Sequence, residues 1–146
     1  MTRVFSLEAP IDVVWRALTE PEHQARWLGD IAAFPDGVSV GAQGRFAWSG
    51  EVVLAARILA YEEQRAFAFE WAEGFMSEKA TRVSFRLRPD HGGVLLHFEE
   101  SGFAIDGDES AVRNALRALA QGWTVELDEF NAYVHKLVSH QKQAAS

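Results

Sequence analysis

Between residues 112 and 137, apolar side chains recur at Val112, Leu116, Leu119, Trp123, Leu127, Phe130, Val134 and Leu137. Steps of three and four place all eight on one stripe of a long helix. The chain ahead of it follows a shorter period. Thr2 to Glu8, carrying Val4, Phe5 and Leu7, reads as a strand. So do Arg45 to Trp48 with its continuation after Ser49-Gly50 into Val52 to Tyr61, then Arg65 to Trp71, Thr81 to Arg88 and Val94 to Glu100. Short polar turns separate them, which favours antiparallel pairing, and Pro89-Asp90-His91-Gly92-Gly93 is a tight hairpin connection. After the first strand, Pro10 opens a short helix through Leu18 whose buried face is Ile11, Val14, Trp15 and Leu18. Thr19-Glu20-Pro21-Glu22 reads as a capping box that starts a second short helix ending near Trp27-Leu28-Gly29. The long stripe needs a partner surface. The expectation is an α+β fold in which the long helix lies across the hollow of a curved antiparallel sheet, an arrangement able to enclose a cavity.

Glycines and one proline punctuate Asp30 to Gly44, at Pro35, Gly37, Gly41 and Gly44, so this stretch is expected to be a long loop with one edge strand and is a candidate lid. Ala72 to Ala80 and Ser101 to Glu109 are further glycine-containing segments at which an entrance could open, and Asp106 to Ser110 supplies an N-cap for the long helix. Gly122, in mid-helix, weakens the helix by about 1 kcal/mol relative to Ala, which points to close packing against the sheet or to space left for a ligand.

Composition narrows the function classes. With 146 residues, nearly half of them apolar, the chain is expected to form one domain, 1–146, around one core. The formal charge is −7 and no basic cluster occurs, which argues against nucleic acid or an anionic membrane as the main partner. The absence of cysteine removes disulfides, thiolate nucleophiles and Cys-ligated zinc. No export signal and no membrane-length apolar run is seen, so a cytoplasmic location is expected. Arg outnumbers Lys eleven to three, a bias that fits a GC-rich bacterial genome. The histidines at 23, 91, 97, 135 and 140 show no metal-ligand spacing. Asp106-Gly107-Asp108-Glu109 lacks most positions of a calcium loop, so no metal is expected. Nucleophile-elbow, Walker and dinucleotide motifs are absent too, and no cofactor is called for.

Strand parity then groups the rings. Phe67, Phe69 and Trp71 share a face, as do Val83, Phe85 and Leu87, and likewise Leu96, Phe98 and Glu100. These sets should line the concave side with Trp123 above them. Glu70, Arg82, Ser84, Arg86, Arg88, His97 and Glu99 should face solvent. Rings in such numbers either fill a core or wall a site for a flat, apolar molecule. Glu100 is the polar member of the inner face. A carboxyl there could hydrogen-bond a ligand carbonyl or move a proton, or it could sit at a wet edge or pair with Arg45 or Arg57.

Four stretches together resemble the SRPBCC superfamily, which includes START and birch-pollen-allergen-like domains. They are Ala9-Pro10 through Trp15-Arg16-Ala17-Leu18-Thr19-Glu20-Pro21-Glu22 with Trp27, then Gly92-Gly93-Val94-Leu95-Leu96, then Glu100-Ser101-Gly102-Phe103, and finally Gly122-Trp123. Within it the chain most resembles the group similar to the activator of the heat-shock-protein-90 ATPase. The resemblance implies a helix-grip fold: a curved antiparallel sheet of six to seven strands clasping a long C-terminal helix, with two short helices after strand 1. It also implies a functional cavity between sheet and helix. Around it would stand Trp27, Trp48, Phe67, Phe69, Trp71, Phe85, Phe98, Glu100, Phe103 and Trp123. The leading expectation is binding of a small hydrophobic or aromatic molecule. The alternatives are a cyclase or hydrolase-type enzyme using Glu100 as its acid or base, and a co-chaperone-like interaction module, so whether the chain is an enzyme stays open. A homodimer is also left open. A chaperone partner ranks last, because the full co-chaperone role involves an additional domain.

Overall fold

The computed structural model describes residues 1–48, 52–73, 80–102 and 108–145, leaving aside the side chains at 52, 73, 111–112, 114–120 and 142–145. The elements in order are β1 (Thr2–Leu7), α1 (Ile11–Thr19), α2 (Pro21–Trp27), β2 (Ile31–Ala33), β3 (Gln43–Trp48), β4 (Val52–Glu62), β5 (Ala66–Glu73), β6 (Thr81–Asp90), β7 (Gly93–Ser101) and α3 (Glu109–Ala145). All seven strands form one antiparallel sheet in the order β1-β7-β6-β5-β4-β3-β2. Apart from β1, which joins at the β7 edge, each strand lies beside the next in sequence, as short connections require. This is the α+β helix-grip layout, with two short helices after strand 1 and the long helix at the end.

The inner face holds Phe46 from β3, Phe67, Phe69 and Trp71 from β5, Val83, Phe85 and Leu87 from β6, and Leu96, Phe98 and Glu100 from β7, all buried. Register stacks them: Phe67 lies opposite Phe85, Phe85 opposite Phe98, and Val83 opposite Glu100. From above, α3 contributes Trp123, Leu127, Phe130 and Val134, each at most 5% exposed, and Leu137 is half-buried. The N-terminal part of the stripe, at Val112, Leu116 and Leu119, lies outside the described side chains. Residues on α1 and α2, including Val14, Trp15, Leu18 and Trp27, close one end of the same core. The hairpin from β6 to β7 turns on His91 (φ 49°) and Gly92 (φ 85°), a pair of positive φ angles that makes a tight primed turn.

Several expectations are corrected. Arg45 to Trp48 does not run on into Val52 to Tyr61; β3 and β4 are separate strands that pair with each other, Trp48 opposite Val52. β4 carries a register shift between Ile58 and Ala60. The extra residue lets Ile58, opposite Phe69, and Tyr61, opposite Phe67, both meet the inner rings. The capping box is not formed. The Thr19 hydroxyl donates back to the Trp15 carbonyl at 2.8 Å, and α2 starts from Glu20 with Pro21 in its first turn and no side-chain cap. Gly122 does not pack on the sheet: it is exposed, with nothing within 4 Å of where a Cβ would stand.

The stretch from Asp30 to Gly44 is anchored rather than free. It contains the edge strand β2, Gly41 N donates to Ile58 O at 2.8 Å, Ile58 N donates to Ala42 O at 3.0 Å, and Phe34 is buried against Phe46. Gly44 is needed there because a Cβ would collide with the Ala33 carbonyl and the Phe34 ring. The cap read at Asp106 lies outside the described residues, as do positions 74–79 and 103–107 of the two other segments.

Candidate functional site

Glu100 is 2% exposed and has its partners inside the core. Trp123 Nε1 donates to Oε1 at 2.8 Å; Trp71 Nε1 at 3.0 Å and the Thr81 hydroxyl at 2.8 Å donate to Oε2. Three donors from β5, β6 and α3 thus converge on one carboxyl of β7. It works as a clamp between sheet and helix, and both its oxygens are occupied. The Arg partners considered from sequence are not used: Arg57 pairs with Glu70 at 2.8 Å on the outer face, and Arg45 is exposed. Thr81 has the same strand parity as Val83 and Phe85, and that periodicity could have revealed it.

A second carboxyl borders the same rings. Glu126 stands three residues after Trp123 and four before Phe130, hence at the margin of the buried stripe. Trp48 Nε1, from β3, donates to its Oε1 at 3.2 Å, while its Oε2 is covered and has no partner among the described residues. Burial raises its pKa above the ordinary carboxylate value; the Trp48 hydrogen bond opposes this, and the charges of Glu129 and Asp30 add to it. Sequence reading passed over Glu126 because a charged residue beside an apolar stripe is normally solvated. The available signal was its three-and-four spacing with Trp123 and Phe130.

Of the ten positions singled out from sequence, Trp27, Phe67, Phe69, Trp71, Phe85, Phe98, Glu100 and Trp123 are buried and Trp48 is half-buried. Phe103 lies outside the described residues. The rings touch in series. Trp123 meets Phe98 at 4.5 Å between centroids and Trp71 at 5.5 Å, Trp71 meets Phe69 at 5.2 Å and Trp48 at 5.8 Å, and Phe46 bridges Phe69 and Trp71. Trp27 belongs to the opposite end, packed on Phe130 at 4.7 Å with its N–H donated to the Ala17 carbonyl at 2.8 Å. The cluster is therefore tightly packed around Trp27 and Phe98 and meets solvent at Trp48 and Glu126.

Outside the sheet–helix interior, a hollow of about 290 Å³ is lined by Val13, Arg16, His23, Leu137, His140 and Gln141. His23 Nδ1 lies 2.6 Å from the Tyr133 hydroxyl, and His23 Nε2 faces Glu20 at 3.5 Å. Burial raises the Tyr133 pKa, the Arg26 charge lowers it, and those of Glu22 and Glu20 raise it. Glu20, Glu22 and His23 bring ligand-type atoms within 4.8 Å of one another, but both His23 nitrogens already face protein partners. No described helix is long and apolar enough to cross a membrane.

Comparison with known proteins follows the same architecture. The solved structure of protein MLL2253 from Mesorhizobium loti superposes with a TM-score of 0.77 at 24% identity, over 93% of this chain and 98% of that one. DynU16, a protein in the dynemicin biosynthetic locus, superposes at 0.73 and 20% identity, over 92% of this chain and 46% of its own. The Aha1 dimer from Colwellia psychrerythraea gives 0.73 at 16% identity, over 92% and 94%. At these identities the likeness establishes fold. No curated protein matches the chain. Residues 8–135, however, match the family model described as Activator of Hsp90 ATPase homolog 1-like protein. The chain belongs to that family, within the SRPBCC superfamily.

Proposed function

We propose that this protein binds a small hydrophobic or aromatic molecule between the concave face of its sheet and α3, entering at the Trp48–Glu126 side. The observation that carries the reading is the continuous series of rings from β3, β5, β6, β7 and α3, held in place by Glu100 and ending at a half-buried indole. Rings of this kind offer a flat apolar ligand both area and edge-to-face contacts. The occurrence of a fold neighbour in a biosynthetic locus supports a small-molecule role. Glu100 serves as a positioning group in this reading: it holds the Trp123 indole through Oε1, and the Trp71 indole and the Thr81 hydroxyl through Oε2. The test is an equilibrium titration of flavonoids, polyketide-like compounds and fatty acids. A binder should change Trp emission and raise the melting temperature, and failure of the whole set to do either counts against the proposal.

A protein-interaction role is the second reading, favoured by the family's description and the Aha1 neighbour. Capture of the Hsp90 chaperone by the full chain, with no effect of any small molecule, would favour it over ligand binding.

A further inference from the structure

The two inward carboxyls differ in what they leave unsatisfied. Glu100 has donors on both oxygens, whereas Glu126 has one donor, Trp48 Nε1, on Oε1. Its Oε2 is screened from solvent and accepts nothing among the described residues. An acceptor removed from water and left without a donor is an unstable arrangement, relieved when a donor arrives. We propose that Glu126 is the specificity-determining residue of the site, accepting a hydrogen bond from a protonated amine carried by an aromatic or hydrophobic ligand. The proposal rests on the ligand-binding reading above and names the polar chemistry of that ligand.

Two features select an ammonium group over other donors. Charge-assisted bonds to a carboxylate are stronger than those from a neutral hydroxyl. Burial is the main cause of the raised Glu126 pKa, and the negative charges of Glu129 and Asp30 add to it; those same charges attract a cation and repel a carboxylate ligand. Trp48 meets this carboxyl through its N–H edge and packs edge-on against Trp71 at 5.8 Å, which joins the carboxyl to the ring series. An amine there would meet the carboxylate, while the ligand's apolar body follows the rings inward.

The test is calorimetric titration of the full chain at neutral pH with three probes of one skeleton: 1-naphthylmethylamine, 1-naphthylmethanol and 1-naphthoic acid. The amine should bind roughly tenfold more tightly than the alcohol, and the acid more weakly than either. In Glu126→Gln the amine should lose its roughly tenfold advantage over the alcohol. Equal affinity of amine and alcohol in the unaltered chain overturns the proposal, whatever the variant does. So does an amine preference that survives in a folded Glu126→Gln protein. If the alcohol binds without any amine preference, or none of the three probes binds, this inference fails, while the ligand-binding reading is overturned only by failure of the broader titration above.

Discussion

At the scale of single residues, Glu100 shows how an acceptor can organise a core. Two indole N–H groups and a hydroxyl point at it from three elements, so an isosteric change that turns one oxygen into an amide N–H sets donor against donor. Glu100→Gln should lose about 2 kcal/mol of stability, read by denaturant unfolding, and an unchanged midpoint would contradict the clamp. Glu126 behaves in the opposite sense. Because its folded-state pKa is raised, the stability it contributes is fully present below the unfolded-state pKa and is lost as pH rises through the folded-state value. At pH 7 it therefore weighs against folding, and Gln, neutral at all pH and still able to accept from Trp48, removes that burden. Glu126→Gln should melt roughly 1–3 °C higher than the unaltered chain at pH 7, a modest gain because the residue is half-exposed, and the difference should vanish below the carboxylate range. Strand parity in the sequence turns Glu100 inward, alongside Leu96 and Phe98. Its partners were less legible, because they depend on how β5, β6 and α3 meet, which spacing within one element does not determine.

Among the elements, the periodic ones were the easiest to read. The stripe on α3 at Trp123, Leu127, Phe130 and Val134 and the inward sets on β5, β6 and β7 occupy the positions that periods of 3.6 and 2 require. The misread places are those where local chemistry has two outcomes. Thr19 followed by Glu22 matches a capping box, yet Pro21 lets α2 begin without one and the hydroxyl bonds back to Trp15. Trp48 and Val52 look like one apolar run, yet the chain reverses between them. The reversal places Trp48 on a strand edge within reach of α3, and its bond to Glu126 joins the two elements on the exposed side. Trp48→Phe keeps a ring and removes the N–H. It should leave the sheet intact while increasing amide exchange in α3 around Glu126 several-fold, measured by hydrogen exchange, and an unaltered exchange pattern would show that the bond does not hold the helix.

For the molecule as a whole, the sheet-and-helix clasp follows from one long amphipathic helix and a run of short strands, which is why its outline could be read before its contacts. Whether the clasp admits a ligand is a matter of ångström-scale fit among rings, and sequence periodicity carries no information at that distance. Five tryptophans make the question measurable. Trp48, Trp71 and Trp123 donate their indole N–H groups to Glu126 and Glu100 at the proposed site, whereas Trp27 donates to the Ala17 carbonyl at the other end of the core and Trp15 packs against Tyr61. The most direct measurement is therefore the indole region of a nitrogen–proton correlation spectrum during titration with 1-naphthylmethanol. Binding between sheet and helix predicts that the resonances of Trp48, Trp71 and Trp123 move together and saturate while those of Trp15 and Trp27 shift little. Five stationary indole signals at saturating probe, or movement confined to Trp15 and Trp27, would contradict it.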